Sequence, residues 1–397
     1  MRIPLLLLLF FVQKITFSQN ILTPAEPIKM DINGLSKTKI KILAKDPSVI
    51  NAYEVLIQKA NNILKVIPKS VMDKTDMPPS GSKHDYVSLA PYWWPDTTKP
   101  NGLPYLLKDG LINPEVKNFP DKENMSKLSE YVYLLGLAYY FSEDEIYAKK
   151  AAELVSVWFV DSATKMNPNL NFAQMVKGVN NGRGIGLIDT RLFVYAIDGI
   201  KLIEKSKYWD KNKSTSTKKW FSDFLDWMYH SKNGIEEYIT KNNHGVWFDA
   251  QSLGIALYID STNFAKEIVK KSLTRLDQQS NADHLFPMEL ERTNSLHYSC
   301  YNLLAFSVIA QLAENLGIDY WQIETANHHS LQKAYEAILP YVLKEKPWKY
   351  QEITPLSAQD AYVTFYYANR KLSCINCLET IKKWEGDKYN YMLLTLL

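Results

Sequence analysis

The apolar residues of this chain return at helical intervals over most of its length. Leu128, Tyr131, Leu135, Ala138 and Tyr139 fall at i, i+3, i+7, i+10 and i+11, and Tyr147, Ala151, Leu154, Val155, Trp158 and Phe159 continue the spacing. Between the two runs, Ser142-Glu143-Asp144-Glu145 has the Ser-x-x-Glu form of a capping box, so the pair reads as a helical hairpin. Three further runs have helical spacing: Trp220-Phe224-Trp227-Met228, Phe264-Ile268-Leu273-Leu276, and Ala305-Val308-Ile309-Leu312-Leu316. The last is stopped by Gly317 in the manner of a C′ glycine. Period-two alternation is scarce, and the variable spacing between hairpins excludes a fixed repeat of the tetratricopeptide kind. Antiparallel helix pairs of unequal length predict an all-α chain, an α/α toroid or incomplete barrel. In such a fold the site lies in a groove at one end, built from loops and helix starts.

Two segments interrupt the pattern. Residues 76–120 are rich in Pro and aromatics, including His84-Asp85-Tyr86-Val87-Ser88-Leu89-Ala90-Pro91-Tyr92-Trp93-Trp94-Pro95-Asp96. A connection this long without periodicity is disordered or functional, and its aromatic content argues for a lid over the groove. The second runs from Asn167 to Gln174 and on to Asn180-Asn181-Gly182-Arg183-Gly184, polar and Gly-containing, as expected at a groove rim.

The first 18 residues combine cationic Arg2, an apolar run from Pro4 to Val12, and a polar stretch ending at Ser18. That run is too short to span a bilayer and has the layout of a secretory signal, so an exported, periplasmic or extracellular protein is expected. Without Arg2 and Lys14 the formal charge falls from +3 to +1, which argues against a nucleic-acid partner. No stable membrane insertion is expected. With 46% hydrophobic residues and no Gly/Ser- or Pro-rich linker, residues 19–397 read as a single domain and as a monomer. Cys374 and Cys377 form a lone C-x-x-C, as consistent with a local disulfide as with two thiols, and Cys300 stands apart. No cluster of His, Asp, Glu or Cys has metal-ligand spacing, so no metal and no cofactor are expected.

Two stretches concentrate the residue types that acid–base chemistry needs. One is Lys241-Asn242-Asn243-His244-Gly245-Val246-Trp247, with Gln251 a turn further on. The other is Glu289-Leu290-Glu291-Arg292-Thr293-Asn294-Ser295-Leu296-His297-Tyr298. Taken singly, the first is explained by a helix cap with packing, and the second by a salt bridge with a buried phenol. Taken together they suit β-elimination on a uronic acid. That reaction needs donors on the carboxylate, a base for the C5 proton, and an acid for the departing 4-oxygen.

Asn-Asn-His-x-x-Trp followed by Arg-Thr-x-Ser-Leu-His-Tyr resembles the alginate-lyase domain of polysaccharide lyase families 5 and 38. The segment from His84 to Asp96, Asn167 to Gln174, and Asn180 to Gly184 look closest to family 38. The resemblance runs from about Lys83 to Gly317 and implies an α/α toroid that cleaves an anionic polysaccharide, alginate first and glucuronan second. It implies that Tyr298 is the catalytic tyrosine and that Asn243, His244 and Arg292 neutralise the carboxylate. Arg292 lies one residue nearer Tyr298 than in family 5, and the lysine of that family's lid has no counterpart here. Proximity to cationic groups is expected to lower the Tyr298 pKa and favour phenolate. Tyr298 would serve as base and acid in syn elimination, as on mannuronate. In anti elimination, as on guluronate, His244 would be the base and Tyr298 the acid. Substrate contacts are expected from Tyr92, Trp93, Trp94, Trp247, His84, Gln174, Arg183, Asn242, Glu289 and His297, with the tryptophans stacking on sugar rings.

Two readings of other classes remain. An α/α-toroid glycoside hydrolase would need two carboxylates across the scissile bond, for which Glu289, Glu291 and Asp249 are candidates. A non-catalytic glycan-binding protein would need only the exposed aromatics.

Overall fold

The computed structural model describes residues 26–372 together with Leu394; the N-terminal residues 1–18 and both Cys374 and Cys377 lie outside that range. Helices α1 (Ile32–Leu43) and α2 (Ile50–Leu64) lead into an irregular segment. It carries strands β1 (Val87–Leu89), β2 (Trp93–Trp94) and β3 (Leu106–Leu107). The hairpin α3 (Asp121–Ser142) and α4 (Glu145–Val155) follows, then strand β4 (Phe172–Met175). Beyond it come α5 (Phe193–Ile203), α6 (Lys211–His230), α7 (Lys232–Tyr238), α8 (Asn243–Tyr258) and α9 (Thr262–Gln279). The series ends with α10 (Pro287–Leu290), α11 (Ser295–Glu314), α12 (Leu331–Val342) and α13 (Ala358–Leu372). This is the α/α toroid that the helical periodicity predicts.

Inner helices pack in sequence, α3 on α5, α5 on α8 and α8 on α11, while α4, α6, α9 and α12 lie against them from outside. Inner α5, α8 and α11 are buried nearly all round, as an enclosed helix is, whereas α3 keeps Glu123, Lys127 and Glu130 exposed. Every residue of α8 is buried except His244. That is why α8 shows no amphipathic stripe in the sequence, while outer α4 and α9 do. Helix starts are fixed by short polar side chains: Asp144, Asp210, Ser231, Asn242 and Ser330 each accept a backbone N–H of the helix they open. The expected capping box at Ser142 does not form. Helix α3 runs through Ser142, whose hydroxyl bonds the Ala138 carbonyl at 2.6 Å, and Glu143 turns the chain at φ 60°. Asp144, one residue before the expected N3 Glu145, is the cap. Gly317 adopts φ 71° just beyond α11, as expected.

The two irregular segments form one unit. β1 pairs in parallel with β4, Val87 opposite Phe172, and β2 pairs antiparallel with β3, Trp93 opposite Leu107. Asn167 and Asn169 both donate to Asp85, at 2.8 and 3.2 Å. Buried Lys74 binds the carbonyls of Lys83 and Asp85 and pairs with Asp121 at 2.9 Å. Residues 76–120 are therefore a fastened strap. No helix among the described residues is long and apolar enough to cross a membrane.

The tightest inner seam is between α3 and α5, where Gly136 meets Gly199. A Cβ on Gly199 would sit 2.3 Å from the Val132 carbonyl oxygen and 2.8 Å from the Tyr133 nitrogen, so two backbones would have to part. Gly199→Ala is expected to lower stability by roughly 3 kcal/mol. At Gly254 the added methyl meets only side-chain methyls, those of Val194 at 3.1 and 3.5 Å and that of Ile28 at 3.7 Å. There the gain in helix propensity, about 1 kcal/mol, offsets the contact and the substitution should be near neutral. Urea denaturation of the two variants checks the contrast.

Candidate active site

The stretch from Lys241 to Trp247 is a built corner. Asn242 caps α8, its Oδ1 accepting the His244 N–H at 3.1 Å. Arg275 of α9 reaches past the corner and binds Asp249 through Nε at 2.7 Å. Its Nη1 and Nη2 donate to the carbonyls of Thr240 and Tyr238, at 2.5 and 2.9 Å. Gly245 is required here, because a Cβ would lie 2.2 Å from Arg275 Nη1 and 2.4 Å from the Thr240 oxygen. Gln279 of the same helix donates to the Asn242 carbonyl at 3.0 Å. The corner fixes the backbone from which Asn243 and His244 project.

Asn243 is fully buried and faces Glu289. Its backbone N–H donates to Oε1 at 2.6 Å, and its amide nitrogen contacts Oε1 and Oε2 at 3.0 and 2.9 Å. Burial raises the Glu289 pKa, against the pull of these hydrogen bonds and of Arg292 and His244. His244 Nδ1 lies 2.8 Å from Glu237 Oε1, and its Nε2 makes no hydrogen bond among the described residues. Arg292 is held by the strap, with Nε and Nη2 donating to Asp109 at 3.2 and 2.7 Å. Thr293 adds its own N–H and hydroxyl to the same carboxylate. Burial works against the Arg292 charge, but Asp109 holds its pKa above the usual value. Its Nη1 makes no hydrogen bond among the described residues.

Tyr298, 8% exposed, stands in the first turn of α11, with the Arg292 guanidinium 3.6 Å from its ring centre. Its hydroxyl is 2.8 Å from that of Tyr92 in the strap. The expectation of a lowered pKa is corrected: burial pushes the Tyr298 phenol well up, and the opposing effect of Arg292 is smaller. A cation over the ring face stabilises a phenolate less than loss of water destabilises it. Tyr298 therefore rests as the neutral phenol.

The other expected residues divide. Trp93 is half-buried with Arg183 5.7 Å from its ring centre. Trp94, also half-buried, donates to the Leu111 carbonyl at 2.9 Å and has Lys108 over its ring at 5.2 Å. Arg183 binds the Gln174 backbone oxygen and its Oε1; burial lowers the arginine's pKa, and its Nη1 makes no hydrogen bond among the described residues. Gln174 also donates to Asp189 at 3.0 Å. His297 pairs with Asp360 at 3.4 Å and stacks on Tyr301. Two expectations, for Trp247 and Glu289, are corrected, while Asn242 and His84 each have one side-chain polar atom engaged in the fold. Trp247 is 1% exposed and offers no face to a sugar, since α8 is enclosed on all sides. Asn242 is the helix cap. Glu289 is a buried carboxylate occupied by Asn243. His84 is tied through Nδ1 to the Lys165 carbonyl at 2.7 Å, within the fastening of the strap.

The periodicity and motif reading missed Glu237, Asp109, Tyr301 and Asp189. Buried Asp189 accepts from Tyr86, Ser88, Gln174 and Lys122. Burial opposes its charge, but Lys122 and the hydrogen bonds hold its pKa below the usual carboxylate value. Tyr301, one turn beyond Tyr298, lies in the field of Arg191, Asp189, Tyr92 and Glu237. Its spacing from Tyr298 was a usable signal. Glu237 and Asp109 gave none, because each reaches its partner only through the fold. Among the described residues no group of three or more His, Cys, Asp or Glu side chains could hold a metal ion.

A phenol under a guanidinium beside an imidazole–carboxylate pair, in the groove of an α/α toroid, is the equipment of a polysaccharide lyase. The family model for alginate lyase matches residues 70–348, and the chain belongs to that family. An alginate lyase from Bacteroides ovatus superposes with a TM-score of 0.88 at 34% identity, covering 94% of this chain and 100% of that one. Alginate lyase A1-III from Sphingomonas species A1 shares the fold alone: TM-score 0.54, 14% identity, 94% of this chain and 97% of that one. A variant of A1-III complexed with a tetrasaccharide gives 0.56, at 15% identity over 94% and 96%. Comparison with curated protein sequences finds no match.

Asn243→Ala would leave the buried Glu289 carboxylate with one donor fewer, and should lower stability by about 1–3 kcal/mol. Chemical denaturation checks this; an unchanged midpoint would mean that Glu289 finds its donors elsewhere.

Proposed function

We propose that this chain cleaves alginate by β-elimination, with Tyr298 protonating the departing 4-oxygen. The observation that carries the reading is the buried hydroxyl of Tyr298, 2.8 Å from that of Tyr92, with the Arg292 guanidinium 3.6 Å from its ring centre. The free Nη1 of Arg292 and the imidazole of His244 draw charge from the substrate carboxylate, which acidifies the C5 proton. Asn243, engaged by Glu289, contributes by holding the corner that carries His244. On guluronate, where the C5 proton and O4 lie on opposite faces, His244 Nε2 takes the proton and Tyr298 supplies one. On mannuronate, where both lie on one face, Tyr298 serves in turn as base and acid once it has lost its own proton, a step that burial of the phenol opposes.

Trp93 and Arg183 together form a platform for a neighbouring uronate: the ring offers a stacking surface and the guanidinium an unpaired donor. Of the three carboxylates considered for a hydrolase, Asp249 is committed to Arg275 and Glu289 to Asn243, which leaves Glu291 without a second partner across the bond. The favoured reading is therefore elimination. Glucuronan, with the same relation between C5 proton and O4 as mannuronate, is the second substrate. We read residues 1–18 as an export signal and residues 19–397 as one catalytic domain acting as a monomer.

Tyr298→Phe should fold normally and lower the turnover rate by a factor on the order of 10² or more, with the Michaelis constant little changed. A variant that melts early yet eliminates at the original rate would remove Tyr298 from the mechanism. Because burial raises the phenol's pKa, activity on polyguluronate should hold level through about pH 10, where an ordinary tyrosine would lose its proton. A fall in kcat as the pH rises from neutral toward that value, with the fold intact, would contradict the role of Tyr298 as acid.

A further inference from the structure

We infer that Glu237 is a positioning residue for His244: it fixes the imidazole with its proton on Nδ1, leaving the Nε2 lone pair to meet the substrate. The inference rests on the proposed role of His244 as base. Glu237 stands near the end of α7, its side chain 1% exposed, and its Oε1 lies 2.8 Å from His244 Nδ1. Its Oε2 is buried and has no hydrogen-bond partner. Among the described residues, the imidazole is the one hydrogen-bond partner of this carboxylate. A buried carboxylate with a single partner is a poor packing solution, and an apolar side chain would fill the space at lower cost.

The arrangement makes sense through what it does to the ring. An ionised carboxylate only accepts, so it selects the tautomer with hydrogen on the nitrogen facing it. The corner held by Arg275 and Gln279 fixes the His244 backbone, and Glu237 fixes its ring. The His244 side chain is 16% exposed, so part of the ring remains open to the groove. When Nε2 accepts the C5 proton, the C–H electron pair passes into the neighbouring carboxylate and returns to form the C4–C5 double bond as the C4–O bond breaks, the departing O4 taking its proton from Tyr298. The new imidazolium then faces a carboxylate already in place. Arg183 and Tyr301 are the other ionisable groups that feel Glu237, and neither hydrogen-bonds to it.

Nitrogen NMR of histidine-labelled protein at mildly alkaline pH reads the tautomer directly, with the His244 signal identified by its loss in His244→Gln. The wild type should carry hydrogen on Nδ1. Glu237→Gln, whose amide oxygen can still accept, should keep that tautomer, while Glu237→Ala should shift it toward hydrogen on Nε2. On polyguluronate the Ala variant should lose roughly 10²-fold in kcat with KM little changed, the scale for a misplaced catalytic group. The Gln variant should lose less. An Ala variant that retains the wild-type tautomer, or wild-type kcat, would overturn the inference. If the Ala variant fails to fold, the wild type decides: hydrogen on Nε2 there would contradict the accepting role. If the wild type eliminates from no uronate polymer, the lyase reading falls, and the tautomer measurement still decides the role of Glu237.

Discussion

The two halves of the site meet at one buried carboxylate. Glu289 lies just before α11, yet it accepts the first backbone N–H and the side-chain amide of Asn243 at the start of α8. A carboxylate at a helix N-terminus is favoured by the exposed N–H groups and by the helix dipole. Removing it from water is costly unless its oxygens are satisfied, so the contact is tightly specified. Through it, the position of His244 on α8 is coupled to the positions of Arg292 and Tyr298 on the following turns. The site thus depends on the packing of α8 against α11.

The strap completes that geometry from the third side. Asp109 fixes Arg292 with two hydrogen bonds and leaves one guanidinium nitrogen available, while Tyr92 meets Tyr298. The β1–β4 pairing and the Asp85 contacts attach the strap to the body of the toroid. It is a fixed wall more than a flap: the aromatic run from Tyr92 to Trp94 is placed by backbone pairing, and Asp109 is placed by charge.

The class of fold was legible because apolar residues recur at helical spacing in outer α4, α6 and α9 and also in inner α3 and α11. Inner α8 was less so, having no polar face to mark its period, and the boundary between α3 and α4 fell to Asp144 instead of Ser142. The catalytic candidates were legible as motifs, since Asn243-His244 and Arg292 with Tyr298 lie in short contiguous stretches. Their environment was not. Trp247 looked like a stacking ring from its neighbours in sequence but is enclosed by three-dimensional packing. The protonation state of Tyr298 was misjudged because proximity to Arg292 is visible in the sequence, whereas the depth of burial is a property of the assembled groove. Glu237 and Asp109 act on residues brought near by folding, and no spacing rule connects them.

The central claim is that this groove breaks a uronate chain by elimination. Incubating the purified protein with polyguluronate, polymannuronate and glucuronan, and following ultraviolet absorbance alongside reducing ends, tests it most directly. Elimination predicts that each new reducing end appears with a conjugated double bond at the opposite terminus, first on the two alginate blocks. New reducing ends without that absorbance would show hydrolysis and contradict the account, as would tight binding of these polymers with no cleavage.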